Sequence, residues 1–320
     1  MKIKYFLIAL TILFNFRSVL AQDWPNKKPV RVILPVSGGS VSDSFARIVT
    51  SELTKSIGGV FIMDYRPGAV GTIATEAGAK APADGYTLVL ASAAQHSVTP
   101  WLVKNVPYDP VKDFAHIGKA VELPFLLVIT PSLPIKSFSD FISYAKSNPG
   151  KLAYGFATGS SQLAATLLNS VAGINTLSVP YKTPAQGVSD LIAGRIQFMF
   201  LDLGSAMPLV DAGQLRGIAV SSRRRATFTP NIPTIAELGY PDYEYATWLG
   251  FAAPQGTPRE IIQRLNIEIT KVLAKQDVQS KLVSLGMDIA PNTVVEQEAF
   301  IKSELDRWGK IIRQAGIIAE

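Results

Sequence analysis

The chain has 320 residues, 48% of them hydrophobic, with 24 glycines, 21 prolines and no cysteine. That excludes disulfides, zinc–thiolate centres, cysteine nucleophiles and a lipid-bearing cysteine, and the length suits two lobes better than one. The formal charge of +6 includes Lys2, Lys4 and Arg17, so residues 22–320 carry +3, too mild a balance to suggest a nucleic-acid partner.

Lys2 and Lys4 precede an apolar run at 5–16, and Val19 and Ala21 occupy the small-residue positions before a cut. Residues 1–21 therefore read as a secretory signal peptide cleaved after Ala21. The apolar run is shorter than the roughly 20 residues a membrane span requires. Residues 30–36 read as a buried strand and 42–57 as a helix with Phe45, Ile48, Val49 and Leu53 on one face. A second strand at 60–65, a short helix around 70–80 and a third strand at 86–91 follow. This alternation predicts a parallel sheet with helices on both faces and a ligand beyond the carboxyl ends of the strands.

A second unit begins near 123–130. It continues through a helix at 137–147, a strand at 152–156 and a helix at 160–172. Strands at 177–181, 196–202 and 215–220 then alternate with helices at 183–193 and 205–212. After the apolar stretch 247–254 the chain turns helical at 258–275, 278–285 and 294–315; Phe300, Ile301, Leu305, Trp308, Ile311 and Ile312 repeat at helical spacing. The pattern predicts an α/β protein of two lobes, with crossovers near 120–126 and 244–250. Lobe I takes 22–123 plus 247–320 and lobe II takes 124–246.

Two segments echo one another. "VSGGSVSD" (Val36, Ser37, Gly38, Gly39, Ser40, Val41, Ser42, Asp43) and "GFATGSSQ" (Gly155, Phe156, Ala157, Thr158, Gly159, Ser160, Ser161, Gln162) each follow a strand and open a helix, one in each half. A helix N-terminus offers unpaired N–H groups and a partial positive charge, to which serine and threonine add hydroxyls. Two such ends facing each other would grip an anion without lysine or arginine, although either alone reads equally well as a tight turn with an N-cap. The Lys-Ser/Thr ending of a P-loop and the three glycines of a dinucleotide fingerprint are both missing.

Catalytic signals are thin. His96 and His116 neighbour no obvious nucleophile, and no G-x-S-x-G elbow or metal-ligand spacing occurs. His116 reads as a surface or packing residue; His96 lies in the loop after the third strand, where packing is again the preferred reading. Arg223, Arg224 and Arg225 read as an exposed basic turn. Tyr181, Lys182 and Asp202 each sit just after a second-half strand, where a cleft would lie. Packing for Tyr181 and helix capping for Asp202 are the alternatives, and Trp248 either lines the cleft or fills the core. A secreted α/β hydrolase or transferase using Ser37, Ser160 or Ser161 with His96 stays open at this point.

The chain resembles the periplasmic solute-binding receptors of tripartite tricarboxylate transporters, the Bug proteins. The likeness runs through "WPNKKPVRVILPVSGGSVSD", "YRPGAVGTIATEAGAKAPADGYTLVLAS", "LSVPYKTPAQGVSDLIAGRIQFMF" and "PTIAELGYPDYEYATWLGFAAPQGTP". It implies two hinged α/β lobes closing on a small organic carboxylate (a dicarboxylate, amino-dicarboxylate or aromatic carboxylate), with no chemistry and no cofactor or metal. Loops 36–43 and 155–162 would hold one ligand carboxylate through amides, hydroxyls and waters, the rest extending towards Ser92, Ala93, Tyr181, Lys182 and Asp202. The implied partners are transporter membrane subunits or a sensor protein, and the implied form is a periplasmic monomer; a ligand sensor without a transport role fits the resemblance as well. Val36 stands where the family commonly has an aromatic, Gly38 at its second proline, Ser40 and Val41 where glycine is usual, Ser42 for threonine and His116 for proline, while Asp43 is retained.

Overall fold

In the computed structural model, which describes residues 24–314 and 319, the apolar run Val30–Leu34 forms strand β1 and is buried on both faces. The expected signal segment lies outside the described residues. Strand β1 pairs in parallel with β2 (Phe61–Tyr65) and β3 (Thr87–Ser92). Helix α1 (Val41–Ile57) joins β1 to β2, and α2 (Thr72–Ala79) joins β2 to β3. Phe45, Val49 and Leu53, four residues apart, form the buried stripe of α1 together with Ala46. Ile48 is only half-buried, at the margin of that stripe.

The predicted parallel arrangement holds for β1 to β3 and gives way to antiparallel strands in the middle of the sheet. Beside β3 runs β9 (Ala246–Pro254), antiparallel, followed by the long β4 (Phe114–Ile129). Residues 114–124 of β4 pair with β9, whereas 125–129 pair with β7 (Phe198–Asp202) and β8 (Arg216–Val220). The second half of the sheet adds β5 (Ala153–Phe156), parallel to both β7 and β6 (Leu177–Pro180). The strand order is β2-β1-β3-β9-β4-β7-β5-β6, with β8 and the short β10 (Asp288–Ile289) also bonded to β4. One strand thus serves both halves, where the sequence pattern suggested a second unit starting near 123. Register shifts between His116 and Gly118 and between Lys119 and Val121 break the alternation that would have revealed its first half.

Helices cover both halves. Phe138–Ser147 (α3), Gly159–Ala172 (α4), Pro184–Ile192 (α5) and Leu203–Asp211 (α6) belong to the second. Arg259–Leu273 (α7) packs with α1 over the first, followed by Gln276–Ser284 (α8). The last helix, Val294–Gln314 (α9), is shared. Its Ile301 joins the cluster of Val89, Ala91 and Trp248, while Trp308 and Ile312 join that of Phe125, Phe200 and Tyr245. Trp248, 1% exposed, is a core residue. The result is a two-lobe α/β fold in which loops 36–43 and 155–162 leave the carboxyl ends of β1 and β5.

Candidate functional site

The first loop is held from within by a carboxylate. Ser40 caps α1, its Oγ accepting the Asp43 N–H at 3.1 Å. Asp43 Oδ2 accepts the Gly39 N–H at 2.8 Å; its Oδ1 accepts Tyr65 OH at 2.7 Å and Arg47 Nε at 3.0 Å. Asp43 is 4% exposed. Burial opposes its charge, but the bonds from Gly39, Tyr65 and Arg47 prevail and hold the carboxyl below its ordinary pKa. Gly39 has φ = 83°, the left-handed region in which a side chain would be strained. With the N–H groups of Gly39 and Asp43 engaged by side chains, helix geometry leaves those of Val41 and Ser42 without an intrahelical carbonyl.

The second loop reaches the same end without charge. Thr158 caps α4, its Oγ1 accepting the Ser161 N–H at 3.2 Å; Ser161 Oγ lies 3.4 Å from the Thr158 N–H. This neutral capping box leaves the N–H groups of Gly159 and Ser160 as the unbonded pair at the helix mouth.

The two mouths converge on one cleft of about 330 Å³. Val41 and Ser42 line it from the first loop, Ala157, Thr158, Ser160 and Ser161 from the second, and Asp202 from the end of β7. The remaining wall is largely apolar: Leu123, Phe125, Pro184, Met199, Phe200, Leu201, Leu285 and Gly286. A lysine, arginine or histidine is absent from the lining among the described residues.

Other predicted residues lie elsewhere. Val36 packs against the core of the first half, and Ser37, Gly38 and Gly39 sit exposed on the loop crest. Phe156 packs against Tyr154 at 6.0 Å between ring centroids, and the Gln162 N–H bonds the Thr158 carbonyl at 3.1 Å. Gly155 is a packing glycine: a Cβ there would stand 2.5 Å from Ile196 and 3.0 Å from the Tyr181 ring. Tyr181 donates its hydroxyl to Asp190 at 2.9 Å, which favours the packing alternative, and Lys182 is exposed outside the lining. Ser92 is buried and donates to Gln95, and Ala93 is buried beside it. Asp202 combines both readings, capping α6 through a 2.9 Å bond from the Ser205 N–H while lining the cleft.

Leu285 and Gly286, which follow α8, escape sequence reasoning because chain order says nothing of their contact with Leu203 and Gly204. His96 is fully buried, with ring centroids 5.0 Å from Phe114 and 5.4 Å from His116, and does not line the cleft. Burial, reinforced by His116, pushes its pKa well below the ordinary value, and neither ring nitrogen hydrogen-bonds Ser37, Ser160 or Ser161. A larger groove of about 650 Å³ takes in the exposed Arg223, Arg224 and Arg225 but neither loop.

Comparison with known proteins agrees with the fold. Residues 45–317 match the family described as the tripartite tricarboxylate transporter family receptor. BugT of Bordetella pertussis is 32% identical over 93% of this chain and 92% of its own length. A solved R. palustris protein with adipate superposes with a TM-score of 0.79 at 34% identity, covering 93% of this chain and 100% of that one. MatC from Rhodopseudomonas palustris with bound malate gives 0.72 at 28% identity, covering 90% and 100%.

Proposed function

The chain belongs to the tripartite tricarboxylate transporter receptor family, and from that premise we propose that it captures a small organic carboxylate in the periplasm and delivers it to the membrane subunits of such a transporter. The observation that carries the reading is the convergence of two helix mouths on one cleft, each with a pair of N–H groups left over by its own cap. Four N–H groups and the hydroxyls of Ser42 and Ser160 suit a carboxylate, whose oxygens accept several hydrogen bonds. Loops 36–43 and 155–162 supply the carboxylate grip through Val41, Ser42, Gly159 and Ser160. Asp43, Thr158 and Ser161 hold the loops in shape.

In this reading residues 1–21 direct secretion. Residues 22–123 with 247–320 and residues 124–246 form lobes that hinge where β4 and the approach to β9 cross between them. Closure excludes water and strengthens the bonds to the anion. The protein acts as a monomer and transforms nothing.

The experiment is a thermal-shift screen of protein stripped of ligand by denaturation and refolding. Carboxylates are expected to raise the Tm where the matching amides and alcohols do not. A broad carboxylate panel with no shift, or equal shifts from the amides, would overturn the proposal.

A further inference from the structure

The cleft is electrostatically lopsided, and this bears on what occupies it. The helix mouths supply partial positive charge, but the lining carries no cationic side chain among the described residues, and its one charged residue is Asp202. A single Asp202 oxygen, Oδ1, is committed, to the Ser205 N–H. Leu285 lies beside it, just past the C-terminus of α8, the partially negative end of that helix. The Asp202 Oδ1 atom and the Leu285 carbonyl oxygen stand 3.5 and 3.8 Å from the point where a Cβ on Gly204 would lie. Asp202 and Leu285 both line the cleft, so its one side-chain charge is negative and the C-terminal end of a helix lies near it. The N-terminus of α6 offsets part of that charge without contributing a full positive one.

Resting on the carboxylate reading above, we infer that the ligand is a carboxylate whose second polar group is an ammonium rather than another carboxylate, with Asp202 as the discriminating residue. An ammonium ion donates three hydrogen bonds and accepts none, which matches the acceptor oxygens of the Asp202 carboxylate. A second carboxylate would meet Asp202 as a like charge, with no lysine or arginine in the lining among the described residues to offset it. The apolar wall of Leu123, Phe125, Met199 and Leu201 suits the hydrocarbon body between the two groups. The solved relatives with adipate and malate hold dicarboxylates, so this chain is expected to differ from them in ligand charge.

The test is calorimetric titration of the refolded full chain with matched sets of probes. Each set contains a monocarboxylate, a dicarboxylate and an ω-amino carboxylate of the same length, from four to six carbons, with benzoate, terephthalate and 4-(aminomethyl)benzoate as the aromatic set. The tightest-binding set should show the amino acid favoured over the dicarboxylate by about tenfold or more. Asp202→Asn preserves the helix cap and should bring that ratio to within about threefold, raising dicarboxylate affinity and lowering that of the amino acid. Dicarboxylates binding wild type as tightly as the amino acids, or a ratio unchanged in D202N, would overturn the inference and leave the carboxylate reading standing. Folded protein that binds no carboxylate of any set would overturn both.

Discussion

The two helix-opening loops do the same geometric work by different means. Loop 36–43 depends on Asp43, a buried carboxylate bound to Tyr65 on a neighbouring strand and to Arg47 one turn along its own helix. Loop 155–162 depends on Thr158 and Ser161, three residues apart and uncharged. The first is therefore sensitive to ionisation and to distant packing, whereas the second is a local motif. A helix mouth can be held open by tertiary electrostatics or by sequence-local hydroxyls, and the proposed site uses one of each.

The largest expected effect comes from removing the tertiary anchor. Asp43→Ala leaves the Gly39 N–H and Tyr65 hydroxyl without their acceptor and should cost about 3 kcal/mol in urea-unfolding stability. It should also abolish carboxylate binding in calorimetry. Arg47 is largely exposed, so little of the loss belongs to its ion pair.

Acid sharpens the contrast. Asp43 has a folded pKa below its ordinary value, so its contribution is complete above the unfolded value of about 4 and fades as pH falls through the lower folded one. The stability gap between wild type and D43N should stay constant above that value and close beneath it. His116, whose pKa burial lowers to about 4, and His96 bind protons more readily when unfolded. Both proteins should therefore lose stability together as pH drops below about 6.5, leaving the gap untouched there. For T158V the gap from wild type should not respond to pH in either range.

Smaller effects follow at the second loop. Thr158→Ala removes one neutral cap and should cost about 1 kcal/mol, read by the same urea midpoint. A comparable loss in D43A and T158A would break the distinction between the loops. The glycines give the finest comparison. Neither Gly39 nor Gly159 has an atom within 4 Å of a would-be Cβ, so only the backbone separates them. Gly39→Ala must hold alanine at φ = 83° and should lose about 1 kcal/mol, whereas Gly159→Ala in the first turn of α4 should stay within about 0.5 kcal/mol.

These differences also explain what the sequence could reveal. The alternation of apolar runs and helical stripes predicted most elements in order, and both loops stood out because each places serines and glycine between a strand and a helix. Features fixed by local chemistry were partly accessible to that reading, which offered an N-cap at each loop and a helix cap for Asp202 but did not name the Thr158–Ser161 pair. The partnership of Asp43 with Tyr65 was not, since it depends on β1 and β2 lying side by side. Tyr181 and Lys182 follow a strand end as the cleft residues do, yet the Tyr181 ring lies across Gly155 and Gly187 with its hydroxyl on Asp190. The full length of β4 was hidden by its bulges, and the place of Leu285 and Gly286 in the wall by their distance along the chain.

In the proposed function both helix mouths hold one carboxylate. Amide-resolved NMR of the refolded protein, titrated with the tightest-binding carboxylate, tests it most directly. The N–H resonances of Val41, Ser42, Gly159 and Ser160 are expected to shift downfield together along a single saturation curve. Saturable shifts that spare either pair would contradict it.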